Sequence, residues 1–359
     1  MHWTVPQTMT NVHITGGTPL THTAPALGPT RRQAMQAAVV AACWPAALRA
    51  GEDASAPLRF GILPIGGMVD SRTGWEPLLD ELMQALGRPI HMFSATSYEG
   101  LGEAVRRGEV DLAFLSGKMA LDAVTQHDMR AIAQVTRHDG LPGYRALLLA
   151  REGGPVRDLE AVLVEPGRWR LARGEKRSMS GFIVPKLQLF LPRQIDIETR
   201  FQGDIVGTHQ RTALAVANGE ADLATNNSAD FERFRTQFPA ETARLRVLWQ
   251  SELVPHGFIV LRNAHGDTMR GRAQRFLAQY GRGSGAQAEQ QRAALKGLHD
   301  FAGFLPADNR ALLPVARLTR QLDLDSAHSA TWINDAARQA RLARIESQYA
   351  TQVQMLSAD

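Results

Sequence analysis

From residue 58 onward the chain alternates short apolar runs with longer stretches of helical periodicity. Leu58–Leu63 is one such run, ended by Pro64 and the loop Gly66-Gly67. Trp75, Leu78, Leu79, Leu82, Met83 and Leu86 then recur at helical spacing, with Gly87 as the stop. Pro89–Phe93 predicts a second strand, Ser97 a helix cap, Gly108 the end of that helix, and Val110–Leu115 a third, buried strand. Strands and helices in this rhythm predict an α/β protein with a parallel sheet whose ligand edge lies at the strand C-termini.

A second pattern starts at Arg177-Ser178-Met179-Ser180-Gly181. Two hydroxyl residues and a glycine stand directly before Phe182, Val184, Leu187, Leu189 and Leu191, which share a helical spacing. This predicts a helix N-terminus whose first N–H groups lack intrahelical partners and carry the positive end of the dipole, a seat for an oxyanion. Ser178 and Ser180 add hydroxyl donors, and Gly181 lets a ligand approach the backbone. The plainer reading is that one Ser simply caps the helix.

The two patterns are related by duplication. Ser97–Ser116 aligns without a gap on Thr208–Asn227, with Ala104/Ala215, Val105/Val216, Gly108/Gly219, Glu109/Glu220, Asp111/Asp222, Leu112/Leu223 and Ala113/Ala224 identical. Ser71-Arg72-Thr73-Gly74-Trp75 repeats the hydroxyl-Gly-aromatic order of Ser178–Phe182 at nearly the same offset. Two copies are too few for a repeat array. They predict two similar α/β lobes across a cleft, lined from both sides by Tyr98, Ser116, Ser178, Ser180, His209 and Asn227. Tyr98 and His209 each follow a helix cap; Ser116 and Asn227 each end a strand.

Gly143-Tyr144-Arg145 before 146–150 and Pro255-His256-Gly257 before 258–261 read as two hinge crossings. The expected organisation is residues 57–150 plus 253–325 in a discontinuous lobe 1, with helices over 262–320, 151–252 in lobe 2, and a helical tail over 326–359.

Composition narrows the chemistry. Cys43 is the only cysteine among 359 residues, which excludes an internal disulfide and a catalytic thiol in the folded body. Residues 1–50 hold no Asp, Glu or Lys, but they contain Arg31-Arg32 before the small-apolar run Ala37–Leu48. That pattern is a secretory signal, too short to span a bilayer, so residues 1–56 are read as a leader outside the fold. Val40–Cys43 also resembles a lipoprotein cleavage box, the alternative being cleavage near Ala50 or Ala56. Removing Arg31, Arg32 and Arg49 lowers the formal charge from +4 to +1, so the basicity belongs to the leader and nucleic acid is not an expected partner.

Several motifs together resemble the phosphate/phosphite/phosphonate-binding proteins of ABC transporters: Arg59–Pro64, Ser97-Tyr98-Glu99, Arg106–Ala113, Gly143-Tyr144-Arg145, Ser178–Gly181, Asn218–Asp222 and Phe304-Leu305-Pro306 occur in the family's order over roughly residues 57–320. The resemblance implies a two-lobed periplasmic-binding-protein fold that closes on a phosphorus oxyanion and delivers it to a membrane permease. In that family a Ser-Thr-Ser-Gly stretch grips the oxyanion, which corresponds to residues 178–181, with Met179 in place of the usual Thr. Tyr98, Tyr144 and His209 match further ligand contacts. His256 and Asn226 or Asn227 stand where many members have acidic residues that hold a ligand amine, so their neutrality argues against an aminoalkyl phosphonate.

No histidine pair has metal-ligand spacing, and neither a metal nor a cofactor is expected. Asp111 and Asp222 read as repeated structural residues before buried strands, and Glu175-Lys176-Arg177 as a solvated or anion-steering loop. With no Ser/His/Asp signature, a transferase or synthase on this fold is the weakest reading. A sensory module that presents a small anion to a receptor kinase would share the same lobes.

Overall fold

The computed structural model describes residues 56–358 except 66–67, 139–140, 142 and 299. The expected signal, the Cys43 anchor site and the Gly66-Gly67 loop lie outside the described residues. In chain order the elements are β1 (Leu58–Ile62), α1 (Met68–Leu86), β2 (Ile90–Ser94), α2 (Tyr98–Arg106), β3 (Leu112–Leu115), α3 (Gly117–Gln126), β4 (Met129–Arg137), β5 (Gly143–Arg151), α4 (Leu159–Val164), β6 (Arg170–Arg173), β7 (Gly203–Val206), α5 (His209–Ala217), β8 (Leu223–Asn227), α6 (Ser228–Gln237), α7 (Pro239–Thr242), β9 (Leu245–Pro255), β10 (Phe258–Arg262), α8 (Gly266–Gln279), α9 (Ala286–Gly297), β11 (Phe301–Pro306), α10 (Leu313–Ser329) and α11 (Asp335–Ser357). Two π-helical segments, Met179–Ile183 and Lys186–Phe190, lie between β6 and β7.

The strands form two sheets, in the orders β11-β4-β10-β3-β1-β2 and β7-β6-β8-β5-β9. Each contains a parallel trio, β2-β1-β3 or β7-β6-β8, followed by an antiparallel strand, β10 or β5. The sheets are therefore mixed, not parallel as expected from the local rhythm. The antiparallel strand of each sheet arrives from the half of the chain that builds the other sheet. Sheet membership also moves the expected boundary at 150: residues 143–151 pair with β8 and β9 and belong to the second sheet. The crossings accordingly run between Arg137 and Gly143 and through His256-Gly257.

Local chemistry repeats along with topology. Ser97 Oγ accepts from Gly100 N, and Thr208 Oγ1 from Arg211 N, so each α2 or α5 start is capped in the same way. Gly108 and Gly219 turn the chain at φ +73° and +80°, a region costly for any residue with a Cβ. Asp111 and Asp222 then fasten each βαβ unit. Asp111 Oδ2 accepts from Arg59 N (2.8 Å) and Nε (2.9 Å); Asp222 Oδ2 accepts from Arg170 N (2.9 Å) and Nε (3.1 Å). Arg59 and Arg170 also donate to the Gly108 and Gly219 carbonyls. The carboxylates hold the start of one strand against the entry to its neighbour, which is the structural role read from the sequence.

The first core centres on Phe60, Trp75, Phe114, Phe301 and Phe304, whose neighbouring ring centroids lie 5.0–6.3 Å apart. Burying rings of this size contributes about 2–3 kcal/mol each. The second uses Leu147, Leu149, Val216, Phe231 and Phe234.

Three further expectations change. α1 begins at Met68, so Ser71–Trp75 lies inside a helix and does not open one. Instead, the 111-residue offset that relates Ser97 to Thr208 also relates Arg59 to Arg170 and the helix starts Met68 and Met179. The stretch 262–320 contains a strand, β11, which pairs with β4 at the sheet edge. The tail does not separate at 326: α10 runs through Ser329, and α11 folds back on α10 and α3, burying Ile345 and Leu356. Among the described residues no helix is long and apolar enough to cross a membrane.

Candidate functional site

Strand ends and helix starts from both sheets converge on one cavity of about 50 Å³. Ser116 follows β3 at the start of α3, Asn227 ends β8, Tyr98 and His209 open α2 and α5, Tyr144 follows the first crossing and His256 lies on the second; Ser178, Met179 and Ser180 complete the lining. Nine of the ten residues singled out in the sequence thus meet at one place. Gly181 does not line the cavity.

The turn at 178–183 explains why. Ser178 Oγ accepts from Gly181 N (3.0 Å), and Ser178 O accepts from both Phe182 N (3.2 Å) and Ile183 N (3.0 Å), adding an i→i+5 bond to the α-helical one. Pro185 has no N–H to offer the Gly181 carbonyl four residues earlier. That carbonyl instead accepts from Thr225 Oγ1 (2.7 Å) and Gly174 N (3.1 Å), which ties the turn to β8 and to the end of β6. A Cβ on Gly181 would stand 2.7 Å from Gly174 Cα, so this glycine serves backbone-to-backbone packing and not ligand approach. As the first two residues after the Ser178 cap, Met179 and Ser180 have N–H groups with no intrahelical partner, beside the cavity.

Met179, which stands in place of the family's usual Thr, is buried. Its Cγ lies 3.7 Å from where a Cβ on Gly117 would stand, so the thioether packs toward the first turn of α3 on the opposite sheet.

A polar network lines one wall. Ser180 Oγ lies 3.1 Å from His209 Nε2 and accepts from Asn227 Nδ2 (3.3 Å); Asn227 Nδ2 also donates to Asp230 Oδ2 (2.6 Å). Asp230 in turn gives its backbone N–H to Asn227 Oδ1, the cap of α6. Burial lowers the His209 pKa against the opposing pull of Asp230, so the imidazole is neutral at pH 7. Burial also pushes the Tyr98 and Tyr144 phenols well above their ordinary range; at both Asp230 adds to the effect, while Ser178 and Ser180 respectively act against it. Both phenols remain O–H donors. Tyr144 stacks on His256 with centroids 5.9 Å apart, and His256 Nε2 lies 3.2 Å from Leu141 O.

Two charged residues in the lining were not anticipated: Arg137 at the end of β4, and Asp230 in the first turn of α6. The repeat alignment stopped at Asn227, three residues short of Asp230, and β4 carried no signal that Arg137 would end at the cavity. Asp230 corrects the inference drawn from His256 and Asn227: the cavity does hold a carboxylate. The arrangement presents hydroxyl, amide and guanidinium donors with one carboxylate, a set suited to binding a small anion that still carries a proton. Among the described residues no His/Cys/Asp/Glu group of three or more is arranged to hold a metal ion.

Comparison with known proteins agrees. Residues 60–312 match the family described as the periplasmic phosphonate substrate-binding protein of ABC transporters. The phosphonates-binding periplasmic protein of Escherichia coli (strain K12) is 28% identical over 297 residues, spanning 83% of this chain and 86% of that protein. The phosphate-import protein PhnD of Mycolicibacterium smegmatis is 25% identical over 240 residues, 62% of this chain and 71% of that protein. A crystal structure of a binding-protein component of an ABC phosphonate transporter from Pseudomonas aeruginosa superimposes with a TM-score of 0.77 at 27% identity, covering 85% of this chain and 99% of that one. With the duplicated α/β halves and the cavity between their sheets, the match over 60–312 places the chain in the family of periplasmic phosphonate substrate-binding proteins of ABC transporters.

Proposed function

We propose that the protein is an extracytoplasmic solute-binding protein that captures a small phosphorus oxyanion (a phosphonate, phosphite or phosphate) between its two lobes and presents it to an ABC transporter permease. Its lobes are those built on the two sheets, and no catalytic step is assigned. The observation that carries this reading is the cavity itself. At about 50 Å³ it admits a ligand of only a few heavy atoms, since one water needs about 10–15 Å³ on the same measure. Its walls supply Ser178, Ser180, Tyr98, Tyr144 and Asn227 as neutral donors and Arg137 as a cation.

Asp230 sharpens the ligand class. A carboxylate accepts and cannot donate, so it favours an anion with a remaining O–H or N–H and disfavours fully ionised sulfate. The E. coli and M. smegmatis relatives, named for phosphonates and phosphate respectively, support the same class.

Titration calorimetry with phosphate, phosphite, methylphosphonate, 2-aminoethylphosphonate and sulfate tests the proposal. At least one phosphorus oxyanion is expected to bind well ahead of sulfate. Replacing both Ser178 and Ser180 by Ala removes two hydrogen bonds to a charged ligand, each worth about 1.5 kcal/mol or more, and so weakens binding roughly a hundredfold. Unchanged affinity in that variant, or a preference for sulfate, would overturn the assignment.

A further inference from the structure

The loop between β6 and the 179–183 turn makes contacts that the binding site itself does not use. Glu175 reaches across the cleft to α2, where Oε1 accepts from Tyr98 N (2.9 Å) and Oε2 from Glu99 N (3.0 Å). Ser97 satisfies only Gly100 N, so the two remaining donors at this helix start are held by a residue of the other sheet. The carboxylate also sits at the positive end of the α2 dipole. Two residues on, Arg177 pairs with Glu99 (Nε to Oε2, 3.4 Å), and its carbonyl accepts from Ser116 Oγ (3.4 Å).

The α2 surface is shaped for this. A Cβ on Gly102 would collide with Arg177 Nη1. Under the 111-residue offset the second copy has Ala213 at the equivalent place, and Gln210 in place of Glu99. Only the first copy therefore carries both the notch and the acidic partner that receive the loop.

We infer that Glu175-Lys176-Arg177 is a latch that holds the cleft closed and slows ligand release. The latch lies next to the binding residues on both sides: Glu175 caps the residue whose side chain, Tyr98, lines the cavity, and Arg177 directly precedes Ser178. Opening the cleft breaks the Glu175 cap in the same movement that withdraws Tyr98 from the ligand. Glu175 is a positioning residue: it touches no ligand and acts through the closed arrangement of the lobes. The effect on release rests on the proposed ligand site, whereas the effect on closure does not.

The test compares wild type with Glu175→Gln and Gly102→Ala in two measurements. Stopped-flow release of methylphosphonate and of inorganic phosphate should show koff raised about tenfold, because a charge-assisted pair of bonds that opposes opening of the closed complex is weakened. Small-angle scattering of the ligand-free proteins should show both variants with a larger radius of gyration than wild type. A wild-type koff together with a wild-type radius would overturn the latch. Were neither anion to bind the wild type, the proposed function would fail, and the ligand-free radii alone would decide the latch. Thermal melts identify a variant that is merely unfolded, in which case the other variant decides.

Discussion

Replacing Gly181 by Ala separates a packing role from a ligand-contact role. The added methyl would meet Gly174 Cα at 2.7 Å, Ser178 Oγ at 2.7 Å and Gly174 N at 3.1 Å. Two of these are backbone atoms and cannot rotate away. Overpacking of this kind costs about 1–3 kcal/mol. Parting the two segments also strains the bonds that the Gly181 carbonyl accepts from Gly174 N and Thr225 Oγ1, worth about 1 kcal/mol each. A loss near 3 kcal/mol follows. With about 2 cal/mol/K of unfolding entropy per residue over roughly 300 residues, Tm falls by about 5 °C. Differential scanning calorimetry of the ligand-free protein measures this directly. Gly108→Ala serves as a comparison, since a Cβ there meets nothing within 4 Å and only the positive φ is strained. A Gly181→Ala protein that melts with wild type but binds anions poorly would refute the packing argument and restore the glycine as a ligand contact.

Other expectations concern the charged and titrating groups. Burial works to raise the Asp111 pKa, but hydrogen bonds from His265 and Arg59 hold it well below the usual carboxylate range. A depressed folded pKa stabilises the protein above pH 4 and loses that contribution as pH falls further, so Asp111→Asn should flatten the acid limb of a stability-versus-pH curve below pH 4. Asp222→Asn, which breaks the equivalent Arg170 pair, should act in the same direction. His209 is held neutral by burial, so its folded pKa lies below the unfolded value near 6.5. Its contribution is full above pH 6.5 and is lost as pH falls, and His209→Gln should remove that part of the pH dependence in thermal melts between pH 7 and 5. An unaltered slope in that window would count against a neutral buried imidazole.

What the sequence conveyed was chemistry that acts over a few residues. Ser97 and Thr208 as caps, Gly108 and Gly219 as stops, and Asp111 and Asp222 before their strands each carry a local signal, and the duplication made these signals legible twice. The Arg59 and Arg170 partners stood at the same offset but lay outside the aligned segment, because pairing between separate strands leaves no local trace. The exchange of β5 and β10 was invisible for the same reason: an apolar run states that it is buried and not beside which strand. The 179–183 turn resembled an ordinary helix start because its apolar spacing fits a 3.6-residue period, while Pro185 and the carbonyl of Gly181 widened it. Asp230 lay three residues beyond the aligned repeat, and it reaches the cavity because α6 starts directly at the end of β8.

The exchanged strands tie the two halves of the chain together. Under the 111-residue offset β5 corresponds to β10, and each joins the sheet founded by the other copy, while the second sheet as a whole is one stretch, residues 143–255, inserted into the first. The first sheet is complete only once β10 and β11 have followed that insertion, and no single cut liberates a finished lobe. The two connecting backbones also run side by side where Gly143 faces Pro255. A paired joint of that kind keeps the two crossings in register with each other.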